Sequence, residues 1–334
     1  MRLALAFAAA LGLLVAPAPG DEIDPVVREV LTKQWHFTRD DLADILHGKV
    51  VKRSLESSAA GELAVVGAIR VDASKQRFLD LVRDIPRFKR GPEVVAIGRF
   101  SSPPALQDLA SLTIDKDDFD ASTCKVHDCD VRLPANIIEQ VPRAADPVAY
   151  FKQIVFENVV AYEKGETQGR LVQYDDGQRP IRPGEEFEGL LRDAPALGAL
   201  APSLPDYFRK YPADPIAGDD DFLYWSKEKF GIAPFVTVTH VAIVCPSVRT
   251  CVMATRDVYS SRYIDASLSI SVATDVGDPA HGFYLVFANR SRANALKGGF
   301  AAVRRALAGR RARASLEENL RRVKVQLEDG LASR

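Results

Sequence analysis

The sequence predicts an α+β protein, an antiparallel sheet closed by a long C-terminal helix, and three observations carry that prediction. First, FVTVTHVAIVC, VMATR running into VYSSRYIDASLSISV, and GFYLVFANR are strand-like stretches in succession, joined by short turns. Second, the strand-like ELAVVGAIRV is followed at once by DASKQRFLDLVRDI, whose Phe78, Leu79, Leu81 and Val82 form a helical stripe. Third, a helical pattern runs from about Arg292 to Glu328, with Leu296, Phe300, Val303 and Leu307 as its first stripe and Leu316, Leu320, Val323 and Leu327 as its last. Short turns between consecutive strands imply antiparallel pairing, and helices segregated from them imply α+β.

The elements follow in order. Residues 1–20 read as a secretory signal peptide: Arg2 supplies the positive start, Leu3 to Ala16 an uncharged apolar run, and Pro17 to Gly20 a small-residue exit. That run is short for the ~20 residues of a membrane span. Residues 21–60 form an N-terminal helical segment, with Pro25 in its first turn and Val26, Val30, Leu31, Leu42, Ile45 and Leu46 apolar. The main domain covers 61–328. Within it VVAIGRF, LASLTID and DCDVRLP are short candidate strands, and Pro147 to Tyr162 a helix. Residues 179–221 are a proline-rich helical insertion, read either as a lid over an opening or as ordinary packing.

Charge is balanced, 44 Lys+Arg against 45 Asp+Glu, which argues against nucleic acid as a partner. The 47% hydrophobic content is that of a folded core. Four cysteines fall in two close pairs. Export favours disulfides, and local pairing, Cys124–Cys129 and Cys245–Cys251, is the expected connectivity of the three available. A metal on Cys124, His127 and Cys129 would lack a fourth ligand nearby. No nucleophile elbow, zinc helix, phosphate loop or dinucleotide fingerprint occurs, so no cofactor or metal is expected.

The chemistry lies in the strand parities. In VYSSRYIDASLSISV, Ile264, Ala266, Leu268, Ile270 and Val272 alternate with Asp265, Ser267, Ser269 and Ser271, yet Arg262 shares the aliphatic parity. His240 interrupts the parity of Val236, Val238, Ala242 and Val244, and Asn289 follows Phe283, Leu285 and Phe287. Buried polar groups need partners, and a few of them converging in an apolar pocket suit a small-molecule site. Arg262, His240 and Asn289 are therefore expected at one polar pole.

GELAVVGAIRVDASKQRFLDLVRDI at the front and FYLVFANRSRANALKGGFAAVRRAL at the back, with the element order from about Gly61 to Glu328, resemble the START-like (SRPBCC) superfamily, which includes polyketide cyclase and dehydrase relatives. The resemblance implies a helix-grip fold, a curved antiparallel sheet gripping the terminal helix around an apolar cavity. It transfers no catalytic motif. The expected function is that of a periplasmic or secreted protein holding a hydrophobic small molecule or lipid, sterol- or isoprenoid-like, as a carrier would. His240, Arg262, Ile264, Ala266, Leu268, Leu285, Phe287, Asn289, Phe300 and Val303 are the candidate ligand residues. A cyclase, dehydratase or hydrolase with His240 as acid or base is the alternative, and a structural domain with a filled core is the third. The basic run GRRARAS reads as an exposed helix face or a transient contact with anionic lipid.

Overall fold

One sheet organises the chain. The structure, a computed structural model, describes residues 23–57, 59–166, 173–175, 177, 180–213, 216, 220–230, 233–277 and 282–332, the side chains of 330–332 excepted. The expected signal peptide lies outside the described residues. The strands are β1 (Val51–Ser54), β2 (Glu62–Val71), β3 (Val94–Arg99), β4 (Asp221–Glu228), β5 (Phe235–Val244), β6 (Thr250–Ser260), β7 (Ala266–Asp275) and β8 (Phe283–Arg292). They pair antiparallel in the order β1-β2-β8-β7-β6-β5-β4-β3, in a curved sheet. The helices are α1 (Pro25–Glu29), α2 (Arg39–Leu46), α3 (Lys75–Arg83), α4 (Ile85–Phe88), α5 (Ala135–Ile138), α6 (Pro147–Glu163), α7 (Pro183–Arg192), α8 (Pro195–Leu200), α9 (Leu204–Lys210) and α10 (Ala301–Ala332). The protein is α+β, and the sheet with its long terminal helix forms a helix-grip arrangement.

Both faces of the sheet are covered. Strand side chains alternate between faces, so the registers sort them. Gly67, Phe287, Ser271 and Met253 face α10, α3 and α4, as do Leu285, Ala273 and Val241. Val66, Ala288, Ile270, Leu268, Ala266 and Ala254 face the N-terminal segment and α7–α9. A third cluster packs α6 and the loops around Phe119 and Ile137 on Trp225, Val238 and Tyr259. Gly67 suits the grip: a Cβ there would stand 3.0 Å from Leu320 and 3.1 Å from Leu316, so those side chains would have to shift by a few tenths of an ångström for α10 to lie as close on β2.

Several expectations are corrected. LASLTID and DCDVRLP lie in irregular loop rather than in strands, and residues 21–60 include β1 after their helices. DFLYWSKE, unread in the sequence, is β4. VYSSRYIDASLSISV is two strands: β6 ends at Ser260, Tyr263 adopts φ +63°, and β7 begins at Ala266. A positive φ at a non-glycine residue marks a turn, and here the turn cancels the parity between Arg262 and Leu268. The terminal helix starts late, after Gly298 at φ +80°, and a Cβ on Gly299 would meet nothing within 4 Å, so no close approach explains that glycine.

Cys124–Cys129 and Cys245–Cys251 are disulfides, the second stapling the β5–β6 hairpin. Loops this small yield less than the ~3 kcal/mol of a 15-residue loop. Thiol titration of the unfolded, unreduced protein should find no free cysteine, and full reduction should lower stability only modestly. Four titratable thiols would contradict the pairing.

Candidate functional site: the cavity under the terminal helix

α10 and the α3–α4 hairpin cover the sheet without filling the space beneath. A cavity of about 210 Å³ remains, walled by Leu285, Phe287, Val241, Met253, Phe78 and Phe88, and roofed by Leu316, Leu320 and Val323. Tyr224, Thr255, Ser269 and Ser271 add polar atoms to its floor, and Lys89, Glu93, Glu228 and Arg322 to its edge. The serines arise from the parity that reads as solvent-facing in β7. Here that parity faces the cavity, while Ala266, Leu268, Ile270 and Val272 pack under the helices of the opposite face.

The polar edge is built on an ion pair. Lys89, just past α4, places Nζ 2.7 Å from Glu228 Oε1 at the end of β4, and stands 5.8 Å above the Tyr224 ring. The Ser226 hydroxyl donates to Glu228 Oε1 at 2.7 Å and exchanges a hydrogen bond with Thr237 at 2.9 Å. Burial works to raise the Glu228 carboxyl, but the Lys89 ammonium and the Ser226 hydroxyl outweigh it and hold it below the ordinary range. Burial likewise opposes charge on Lys89, and Glu228 reverses that, so the ammonium is held above its ordinary value. Arg322 of α10 reaches Glu93 at 3.6 Å, tying the roof to the segment before β3.

Asp257 shares this face of the sheet. Thr239 Oγ1 donates to its Oδ1 at 2.9 Å. Burial is the main cause of a carboxyl pushed up to about 7; Thr239 and Lys89 lower it, and Glu228 adds to the rise. An acid whose folded pKa exceeds its unfolded value near 3.8 holds a proton in the folded state that the unfolded chain releases. Stability therefore falls as pH rises from about 4 to about 7. Asp257→Asn should accordingly stabilise the protein at pH 8 by about 2 kcal/mol, after allowance for solvent reaching the side chain, and not at pH 4. Urea unfolding at the two pH values checks this; equal effects would overturn it.

The candidate residues separate. Leu285 and Phe287 line the cavity. Asn289 lies on the same face, where its Nδ2 donates to Ser267 and Ser269 at 3.0 Å and Ser291 donates to its Oδ1 at 2.6 Å. His240 does not join it. It sits on the opposite face, 0% exposed, with Tyr162 Oη 2.8 Å from Nδ1, and with Tyr207 Oη and Asp221 Oδ2 each 3.3 Å from Nε2. Burial depresses its pKa against the pull of Asp221, which keeps the ring neutral. Both nitrogens are engaged, so this cluster is a buried polar lock. Arg262, on the β6–β7 turn with Ile264, donates to the Asp118 carbonyl and lies 3.3 Å from Asp130. It borders a separate open cleft with Arg132 and Lys297. Phe300 and Val303 are 85% and 67% exposed, so neither walls the cavity. The helix face that does so begins at Ser315 and Leu316.

Lys89, Glu228, Tyr224 and Asp257 were missed by sequence reasoning. The available signal was the alternation Phe222, Tyr224, Ser226, Glu228 in β4, which ends an aromatic face on a carboxylate. Among the described residues no cluster suits a metal ion, and no helix is long and apolar enough to cross a membrane. Comparison with protein-family models and with curated proteins finds no match for this chain.

Proposed function

We propose that the protein binds a small amphipathic molecule in the cavity under α10, with its apolar body against Leu285, Phe287 and Met253 and a hydroxyl-type head toward Thr255, Ser269 and Ser271. The single observation that carries this reading is a sheet face that is covered but not filled. Protein interiors are close-packed, and an empty space of this size forfeits contacts that filling side chains would supply. An apolar cavity of about 150 Å³ takes benzene, so 210 Å³ suits a one-ring or short-acyl amphiphile. Longer lipids of the kind a carrier holds would need α10 to lift at the Glu93–Arg322 contact. Export to a periplasmic or extracellular space belongs to the same proposal, supported by the two disulfides and the N-terminal sequence.

Octanol, octane and octanoate serve as probes in calorimetric titrations, beside mass spectrometry of an organic extract of the purified protein. Octanol should bind, octane more weakly because it leaves the serines without a partner, and octanoate most weakly because its carboxylate would be desolvated among floor hydroxyls that offer no cation. Ser271→Phe, which fills the cavity from its floor, should abolish octanol binding with the fold kept by circular dichroism. Absence of both probe binding and extracted ligand would sink the proposal. The enzymatic alternative loses its residue, because His240 lies on the other side of the sheet.

A further inference from the structure

The first half of α10, with Phe300 just before it, is turned inside out relative to the second. Leu316, Leu320, Val323 and Leu327 are buried against the sheet, whereas Phe300, Val303 and Leu307, at helical spacing before them, are exposed on the opposite side. Between Ala293 and Leu316 the chain has Lys297, Arg304, Arg305, Arg310, Arg311 and Arg313 and no acidic residue. Arg304 donates to the Lys297 carbonyl and Arg313 to the Ser54 hydroxyl. Among the described residues none of the five arginines pairs with a carboxylate. The chain as a whole carries a net charge of −1, so this basicity is local.

We infer that this half of α10 is a docking surface for an anionic lipid membrane, with Phe300, Val303 and Leu307 entering the interface and Arg304, Arg310 and Arg311 meeting phosphate headgroups. An exposed apolar stripe flanked by arginines is the composition of helices that lie in the membrane plane. A second copy of the chain fits poorly, because symmetric pairing on this stripe would bring two sets of arginines together. The inference is independent of the cavity proposal, although the same helix roofs the cavity, so docking would bring the roof to the membrane surface.

The test is co-sedimentation of the purified full chain with phosphatidylcholine vesicles, with and without phosphatidylglycerol, at low and high ionic strength. Binding should require phosphatidylglycerol and weaken with salt. Arg310→Gln with Arg311→Gln should reduce partitioning roughly 25-fold, about fivefold for each charge near the surface. Phe300→Ser with Val303→Ser should reduce it too, and both variants should keep the thermal midpoint of the parent, since these side chains pack on nothing. Absence of binding, equal binding to both vesicle types, or variants that bind as the parent does would overturn the inference. A dimer by analytical ultracentrifugation that Phe300→Ser dissolves would assign the stripe to self-association instead.

Discussion

Lys89→Met should lower stability by about 3 kcal/mol at pH 7, the lower end for breaking a buried ion pair because Lys89 keeps some access to the cavity. The cost comes from Glu228, which is 5% exposed and would lose the cation holding its charge. It would retain only the Ser226 hydroxyl. Its pKa would then rise, and the sign follows. In the parent, the depressed Glu228 contributes stability that is present above its unfolded pKa near 4.5 and lost as pH falls through the folded value. In the variant that contribution reverses, so the deficit should be large at pH 7 and shrink towards pH 4. Adding Glu228→Leu to Lys89→Met should recover most of the loss, because two apolar groups bury without a desolvation cost. Denaturant melts across pH test the first part; a single variant as stable as the parent would show that the pair contributes nothing.

His240→Ala should cost about 4 kcal/mol. The ring lies 4.4 Å from the Tyr211 ring centroid and within 5.6 Å of those of Tyr162, Tyr207 and Phe208, so truncation opens a hole among aromatics. The Tyr162 hydroxyl also loses one of its partners in the interior, keeping only Arg256. A second readout separates this lock from catalysis. Because burial depresses its pKa below 6.5, the unfolded chain takes up a proton there that the folded protein refuses. Parent stability should therefore fall as pH drops below about 6.5, and His240→Phe should remove that one-proton slope. Octanol binding by the folded fraction should persist in both variants, since the ring is on the far face of the sheet. Loss of binding with stability intact would return His240 to the site.

The particular residues show where sequence reasoning holds. Leu316, Leu320, Val323 and Leu327 announce a helix with one buried stripe, and they are the stripe that grips the sheet. ELAVVGAIRV and GFYLVFANR announce strands, and they pair directly, Val71 with Phe283 through Glu62 with Arg292. The close cysteine pairs announce their disulfides because few residues separate them. Each of these depends on side-chain periodicity or on neighbours along the chain, which local sequence contains. Such local signals suffice for the α+β class, the antiparallel sheet, the terminal helix and the two disulfides.

What covers each face of β7 is visible only in three dimensions. A period of two says that the faces of β7 differ, not what covers each of them. Ala266, Leu268 and Ile270 are buried under the N-terminal and insertion helices, and the serines between them look into a cavity because α10 spans the other side. Phe300 and Val303 continue the helical spacing of a core stripe in the sequence, but Phe300 precedes α10 at φ +57°, and Val303 lies on the side of the helix away from Leu316 because a helix rotates 100° per residue and drifts around its axis over many turns. Arg262 sits beyond a turn that sequence parity carries straight through. Lys89 and Glu228, 139 residues apart in the chain, meet only because β3, which follows Lys89 in the chain, pairs with β4 and sets Val94 opposite Glu228. Long-range pairing of that kind leaves no trace in either segment alone, since each charge reads as surface until the other is beside it.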